Sequence, residues 1–316
     1  MFTKDDEPHA LRRAQLLKAH PELKSLMKPE PFGKYICVCV VLLQIYLSII
    51  TRNISGWRYV FILYTCGGTL AQAIFLGIHE LTHNLFFQKT HVNRIFAMFC
   101  NFPAVIPFCE SFRFYHLQHH KGQGKQGIDT DIPSDFEVNL FRGRIGKAIW
   151  FNFQLLAYAI RPMLIKSQKY TFYLMLNFVL QIIFNVFLWL TYGFKPFVFL
   201  TLSLLIAGGL GLHPTSSHFI SEHYLIHDNS QETFSYYGWL NYLTWNVGYH
   251  VEHHDLSNVP FTNLPRVRKI APEFYKSLHV CESWVSLPYT FILNDRLSLQ
   301  SRMKRSASEN ISDKRS

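Results

Sequence analysis

The chain has 316 residues, including 28 Phe and 16 Tyr, and only 16% of its residues are charged. Soluble domains carry about 25% charged residues, so this composition argues against an ordinary soluble enzyme. The net charge of +10 is not concentrated on a soluble basic face. It therefore disfavours a nucleic-acid partner and favours basic loops beside anionic lipid headgroups.

Four long segments without charged residues follow along the chain. A helix needs about 20 mostly apolar residues to cross a bilayer, so the sequence predicts an all-α integral membrane protein with about four transmembrane helices. The predicted spans are residues 35–51, 59–78, 170–194 and 196–219. Residues 148–165, with Arg161 and Pro162 near their end, are predicted to form an interfacial or re-entrant helix, because the segment is too interrupted for a fifth span.

The basic residues are distributed unevenly between the loops. The two short loops between the paired spans hold three of the 31 Lys and Arg residues, so the positive-inside rule places both termini and the long middle segment in the cytosol. The predicted organisation is a cytosolic segment 1–34, a membrane domain 35–300 and a polar, disordered C-terminal tail 301–316.

Most of the 16 histidines lie in short clusters. Three motifs stand out, HELTH at 79–83, HLQHH at 116–120 and HVEHH at 250–254. Their i, i+3 and i, i+4 spacings place the imidazoles of each motif on one helix face. A looser group near the end of the fourth span contains His213, His218, His223 and His227. The scattered remainder, for which the sequence predicts no role, is His9, His20, His91 and His279.

The histidine clusters are all predicted to lie just inside the cytosolic face of the membrane, where polar groups are costly and indicate function. Neutral imidazole suits iron, zinc, copper and nickel. Eight or more histidines fit two metal ions with four or five ligands each, which favours a di-iron oxygenase that activates O₂ and attacks an unactivated C–H bond. Neighbouring carboxylates are candidates for orienting the imidazoles; they are Glu80, Asp129, Asp131, Glu222, Glu252 and Asp255.

Two other interpretations compete with an oxygenase. HELTH also matches the HExxH signature of zinc proteases, with Glu80 as general base, although an intramembrane protease leaves both HxxHH motifs unused. A non-catalytic membrane scaffold that retains metal sites as relics is the alternative outside the enzymes.

The order of the three motifs resembles the membrane fatty acyl desaturase and hydroxylase superfamily. Longer stretches, among them PHALRRAQLLKAHPELKSLMKPEP, GLGLHPTSSHFISEHY and LPRVRKIAPEFY, look like the sphingolipid Δ4-desaturase family. The resemblance extends from about residue 8 to residue 305, nearly the whole chain.

This resemblance implies an oxidoreductase of the endoplasmic reticulum membrane. It would use two iron ions, O₂ and electrons from NADH, delivered by cytochrome b5 and its NADH-dependent reductase. The substrate would be dihydroceramide, which receives a 4,5-trans double bond; the alternative is C4-hydroxylation, or both activities. The implied catalytic metal ligands are His79, His83, His116, His119, His120, His250, His253 and His254. His223 is the best candidate for a ninth ligand, and His218 is expected to bind directly or through water.

Two basic clusters in the cytosolic segments are candidates for docking the acidic surface of cytochrome b5. Binding of anionic lipid is the competing interpretation. The clusters are Arg142, Arg144 and Lys147, and Arg266, Arg268 and Lys269.

Overall fold

The computed structural model describes residues 1–227 and 231–306, which are mainly helical. Residues 307–316, the greater part of the predicted tail, lie outside the described residues. The helices are α1 (Pro8–Ala19), α2 (Phe32–Ile50), α3 (Gly56–Ile62), α4 (Gly68–Thr82), α5 (Thr90–Asn101), α6 (Cys109–Lys121), α7 (Asp135–Leu140), α8 (Gly143–Ile165), α9 (Phe172–Tyr192), α10 (Phe194–Ala207), α11 (His218–Ser221), α12 (His250–Asp255), α13 (Leu264–Ile270) and α14 (Leu287–Leu293). Two short strands, β1 (Phe2–Thr3) and β2 (Lys304–Arg305), pair in parallel.

Four helical stretches in the described ranges are long and apolar enough to cross a membrane. They are Phe32–Asn53, Gly56–Thr82, Gly143–Ile165 and Phe172–Tyr192. The predicted all-α, multi-pass membrane architecture is therefore confirmed. A further pair, Thr90–Ala104 and Cys109–Lys121, has suitable composition but is bent by 114°, so α5 and α6 do not form one straight span.

The fourth predicted span is wrong in its extent. The sequence predicts a helix over 196–219, whereas α10 ends at Ala207 after 14 residues. Gly209 and Gly211 follow with φ values of +131° and +73°, a backbone conformation that ends an α-helix and that glycine adopts readily. Pro214 then begins a separate short turn. Hydropathy alone did not detect this break because glycine is neutral on such scales.

Helix α8 also differs from its prediction. It contains 23 residues, compared with 27 and 21 in the candidate spans before and after it, although its backbone is non-helical at Phe153. Arg161 near its end forms a buried ion pair with Glu137, with both N–O distances 2.7 Å. The predicted interruption at Arg161 is therefore compensated by a carboxylate, and the interfacial or re-entrant placement of α8 remains a prediction.

Helix α4 lies at the centre of the bundle and packs against α2, α5 and α10. Small residues permit the close approach to α10, because a Cβ atom at Gly67 would lie 2.5 Å from Ser203 Oγ and one at Gly68 would lie 2.4 Å from Ile206. Helix α9 instead exposes large apolar side chains such as Ile182, as expected for a surface in contact with lipid tails. The burial of α4 fixes the position of the histidines at its end.

The two ends of the described chain close over the side of the bundle that carries the histidines. The Met1 ammonium group donates to the Arg302 carbonyl oxygen over 2.7 Å, and β1 pairs with β2. Arg305 is buried against Glu232. The predicted boundary of the disordered tail at residue 301 is therefore wrong, because these polar residues are paired rather than solvated.

Candidate metal centre

Three helices bring the histidine motifs together. His79 lies on the last turn of α4, and His83 follows directly after the helix. Helix α6 carries the second motif, and the third occupies α12, which has only six residues. Because the spacings are realised on helices, the imidazoles within each motif lie on a common face.

Five histidines drawn from all three motifs form the first group. One ring nitrogen of each lies within 4.8 Å of the others in the set His79, His83, His116, His120 and His253. The Nε2 atoms of His79 and His253 are 2.9 Å apart, as are those of His83 and His116. The Nε2 of His120 lies 3.0 Å from that of His116 and 3.2 Å from that of His253.

These nitrogen–nitrogen contacts cannot all be hydrogen bonds at the same time. A neutral imidazole nitrogen offers either one N–H or one lone pair, yet the Nε2 atoms of His116 and His253 each face two other Nε2 atoms. Imidazole nitrogens about 2.1 Å from a metal ion would be about 3.0 Å apart at adjacent octahedral positions. The observed spacings of 2.9–3.2 Å match that value, so the residues fit one metal ion.

A second group adjoins the first. One nitrogen each of His119, His223 and His254 lies within 4.8 Å of the others. The Nε2 of His223 is 3.0 Å from that of His119 and 3.1 Å from that of His250. The buried Nε2 of His254 has no hydrogen-bond partner among the described residues, a state that costs about 1–3 kcal/mol unless another species binds it. These four histidines fit a second metal ion.

The two groups are built on the same helices. Helix α6 contributes His116 and His120 to the first group and His119 to the second. Helix α12 contributes His253 to the first, and His250 and His254 contact His223 in the second. A displacement of either helix therefore alters both groups, and substitutions in one group are expected to affect the other non-additively.

Asp129 orients His119. Its Oδ1 lies 3.0 Å from Nδ1 of His119, and its Oδ2 accepts from the Gly124 N–H over 2.7 Å. Burial alone would raise the pKa of Asp129, but His119 and the nearby Arg302 outweigh it and lower that pKa to about 2. Asp131 lies farther away, at 3.6 Å from His119 Nδ1. An ionised Asp129 fixes Nδ1 as the protonated nitrogen and leaves Nε2 for the metal.

The other predicted carboxylates have different partners. Glu222 Oε1 lies 3.3 Å from Nδ1 of His250, but this Nδ1 has no hydrogen-bond partner among the described residues. Glu252 instead accepts from Ser235 Oγ and Tyr237 Oη, both at 2.7 Å.

Two predicted positions lie apart from both groups. The Nδ1 of His218 is 2.9 Å from the Thr215 carbonyl oxygen, and the Gln72 amide lies 3.1 Å from the same ring. The Nδ1 of His213 is 2.8 Å from Thr215 Oγ1. The structure thus brings together nine of the predicted metal ligands and leaves His218 outside the two groups.

The sequence also missed a residue. His9, which has no predicted role, is buried, and its ring centroid lies 5.0 Å from that of His254. His91 and His279 are exposed, and His20 pairs with surface carboxylates. No spacing in the sequence connects His9 with residues almost 250 positions away.

Similarity to known proteins shows the family to which the chain belongs. The sequence profile of the fatty acid desaturase family matches residues 55–284, and that of sphingolipid Delta4-desaturase matches residues 1–32. The chain is 44% identical over 303 residues to sphingolipid delta(4)-desaturase DES1 of Homo sapiens, covering 95% of this chain and 93% of that protein. It is 42% identical over 305 residues to the DES1-like protein of Arabidopsis thaliana, with 96% and 91% covered. The chain belongs to the sphingolipid Δ4-desaturase family.

The predicted family and enzyme class of this desaturase are thereby confirmed. A third relative, the sphingolipid delta(4)-desaturase of Schizosaccharomyces pombe, is 40% identical over 317 residues. The names of these relatives favour desaturation over C4-hydroxylation. The zinc-protease interpretation of HELTH is wrong, since both of its histidines join three others in one group.

Proposed function

We propose that this protein introduces the 4,5-trans double bond into dihydroceramide, giving ceramide. The main support is the pair of adjacent histidine groups in a chain of the sphingolipid Δ4-desaturase family. Two hydrogens leave neighbouring carbons of the long-chain base, O₂ is reduced to two water molecules, and NADH supplies the two additional electrons. The nearby carboxylates and histidines of this chain provide no other oxidant for an unactivated C–H bond.

The proposed iron ligands are the nine clustered histidines. One iron ion would be held by His79, His83, His116, His120 and His253, and the other by His119, His223, His250 and His254. When bound, the two irons would supply O₂ activation and the oxidising power for hydrogen removal. The protein orients His119 through Asp129. It buries six of the nine histidines and leaves His83, His116 and His120 partly exposed.

A crevice of about 10 Å³ adjoins the first group and is the proposed entry point for the reacting carbons. Its lining consists of Leu76, His79, Glu80, Trp245, Val247, His253 and Leu264. A space of that size holds about one water molecule, so an alkyl chain could enter only after the walls separate. Trp245 is itself fixed by an N–H···O bond of 2.8 Å to the Ala73 carbonyl oxygen.

Expression in a yeast strain that lacks its own sphingolipid C4-hydroxylase tests this function. We expect lipid analysis to find 4,5-unsaturated ceramide as the main new product, and the purified protein to contain two irons per chain. The matched control is the His116→Ala variant, which should form no product. Predominant 4-hydroxylated ceramide would instead support the hydroxylase alternative, and neither product would contradict the proposal.

We further propose that the enzyme resides in the endoplasmic reticulum membrane with both termini in the cytosol and receives electrons from cytochrome b5. The structure corrects one predicted docking cluster. Lys147 is buried and donates to the carbonyl oxygens of Asn294 and Leu297 over 2.7 and 2.9 Å, and Arg144 pairs with Asp295. Helix α13 is the better docking surface, since Arg266 is exposed there.

The α13 surface is also connected to the metal centre. Arg268 stacks over the Tyr237 ring with its guanidinium carbon 3.7 Å from the centroid. Tyr237 in turn donates to Glu252 on α12. An acidic donor protein that binds α13 would therefore dock beside the helix that carries the third motif.

Neutralising the exposed charges of α13 is expected to slow electron delivery. With cytochrome b5 limiting at low salt, Arg266→Gln combined with Lys269→Gln should lower turnover several-fold, and added salt should reduce the difference from wild type. The control is Arg52→Gln combined with Arg58→Gln, which makes the same charge change in a loop predicted to face the other side. Equal turnover of both variants would assign α13 to lipid contact instead.

A further inference from the structure

The N-terminal helix is part of the support of the third histidine motif. Helix α1 packs against α12, and His9 is buried between them. Its Nδ1 lies 2.7 Å from Asp255 Oδ1 and its Nε2 lies 2.9 Å from Thr233 Oγ1. Both ring nitrogens therefore have partners, so His9 has no lone pair left for a metal ion and its role must be indirect.

The direction of these hydrogen bonds is determined by the chemistry of the partners. A carboxylate only accepts, so Nδ1 of His9 donates to Asp255 and its Nε2 accepts from the Thr233 hydroxyl group. The Thr233 oxygen in turn accepts from Gln123 Nε2 over 3.0 Å. Arg12 adds a positive charge 3.6 Å from the same Asp255 oxygen. The buried carboxylate is thus bound by two side chains of α1.

Helix α12 needs such external support. It has six residues, whereas isolated helices shorter than about 12–15 residues are marginal in water. Asp255 is its last residue, directly follows His254 and is fully buried. Because one carboxylate at the end of the helix is held by α1, the position of α1 determines the direction in which the α12 imidazoles point.

We propose that His9 is a positioning residue of the metal centre, which holds α12 through Asp255 and so sets the orientation of His254 in the second group. This inference rests on the proposed function of the two histidine groups. The family comparison adds an independent argument, because the general desaturase profile begins at residue 55, while residues 1–32 match only the Δ4-desaturase profile. Residues 1–32, which match only the Δ4-desaturase profile, therefore support histidines that lie within the general desaturase profile.

The substitutions His9→Asn and His9→Gln test the two contacts of His9 one at a time. In His9→Asn, the amide N–H group can occupy the position of Nδ1 and donate to Asp255. In His9→Gln, the longer side chain places its amide near the position of Nε2, beside Thr233, and the bond to Asp255 is lost. His9→Ala removes both contacts, and His91→Ala, at an exposed position, is the control.

Titration of the purified, metal-free full chain with Co²⁺, followed by visible absorption, measures the metal affinity of each histidine group. We expect His9→Gln and His9→Ala to weaken binding of the second metal ion about tenfold or more, and to weaken binding of the first ion less, because α12 contributes only His253 to the first group. His9→Asn should retain most of the affinity. Unchanged binding in His9→Ala, equal weakening of both ions, or identical behaviour of the Asn and Gln variants would overturn the proposal.

Hydrogen exchange of the metal-free protein provides a readout that does not depend on metal. We expect amides of residues 250–256 to exchange faster in His9→Ala and His9→Gln than in wild type or His9→Asn. Unaltered exchange in His9→Ala would also overturn the proposal. Failure of the proposed function would appear differently, as a wild-type chain that does not bind two metal ions.

Discussion

Replacement of His253 by alanine is expected to abolish turnover and to remove the metal ion of the first group. His253 is the member of that group contributed by α12, and its Nε2 lies 2.9 Å from that of His79 and 3.2 Å from that of His120. Its loss removes a ligand and the contribution of the third motif to the first group. We expect at least a hundredfold lower turnover, measured as ceramide formed in microsomes, with about half the wild-type iron content.

The control for this experiment is His91→Ala, since His91 is exposed and lies outside both groups. It should retain near-normal turnover and iron content. Membrane extraction and protein content should be the same for both variants, because the spans are unchanged. Substantial turnover in His253→Ala would contradict the ligand assignment.

Substitution of Asp129 by asparagine is expected to lower the metal affinity of the second group by 10- to 100-fold, the range typical when a partner of a metal-bound histidine is replaced. Asparagine preserves the size of the side chain, and its oxygen can still accept from His119 Nδ1. The negative charge that makes the imidazole more basic is lost, however, and the Gly124 N–H loses a charged acceptor. Metal affinity measured by Co²⁺ titration and turnover should fall together.

Two neighbouring carboxylates provide graded controls for Asp129→Asn. Asp131 lies 3.6 Å from His119 Nδ1, so Asp131→Asn should have a smaller effect. Asp135 is exposed in the first turn of α7, and its replacement by asparagine should leave metal affinity unchanged. Equal effects at all three positions would indicate a general loss of negative charge instead of a specific orienting bond.

The features predictable from the sequence are those encoded by local spacing. Uncharged segments of sufficient length identified three of the four candidate membrane spans of the described residues, because a bilayer requires about 20 apolar residues whatever their neighbours. The i, i+3 and i, i+4 histidines identified the motifs because helical periodicity places such residues side by side. The arrangement by which α6 and α12 each serve both groups was not predictable, since it depends on how the helices cross.

The features that the sequence did not reveal are long-range pairings of polar residues. Lys147 appeared to be a free surface charge, but two carbonyl oxygens bind it in the interior. His9 and Asp255 are 246 positions apart and contact only after folding. Arg302 and Arg305 belong to a polar segment that reads as disordered, yet both are buried among acceptors. Composition describes a residue's average environment, whereas burial of a charge depends on the particular partner.

The pairing of β1 with β2 has a consequence for biosynthesis. The partners Thr3 and Arg305 are 302 positions apart, so at about 5–20 residues per second Arg305 is made roughly 15–60 s after Thr3. The membrane helices can insert during that interval. Arg305 donates to the Gln123 carbonyl oxygen, and this contact cannot form before residue 305 has been made. His254 is made 51 residues before Arg305, so all three histidine motifs exist before the pairing of β1 with β2 can close over them.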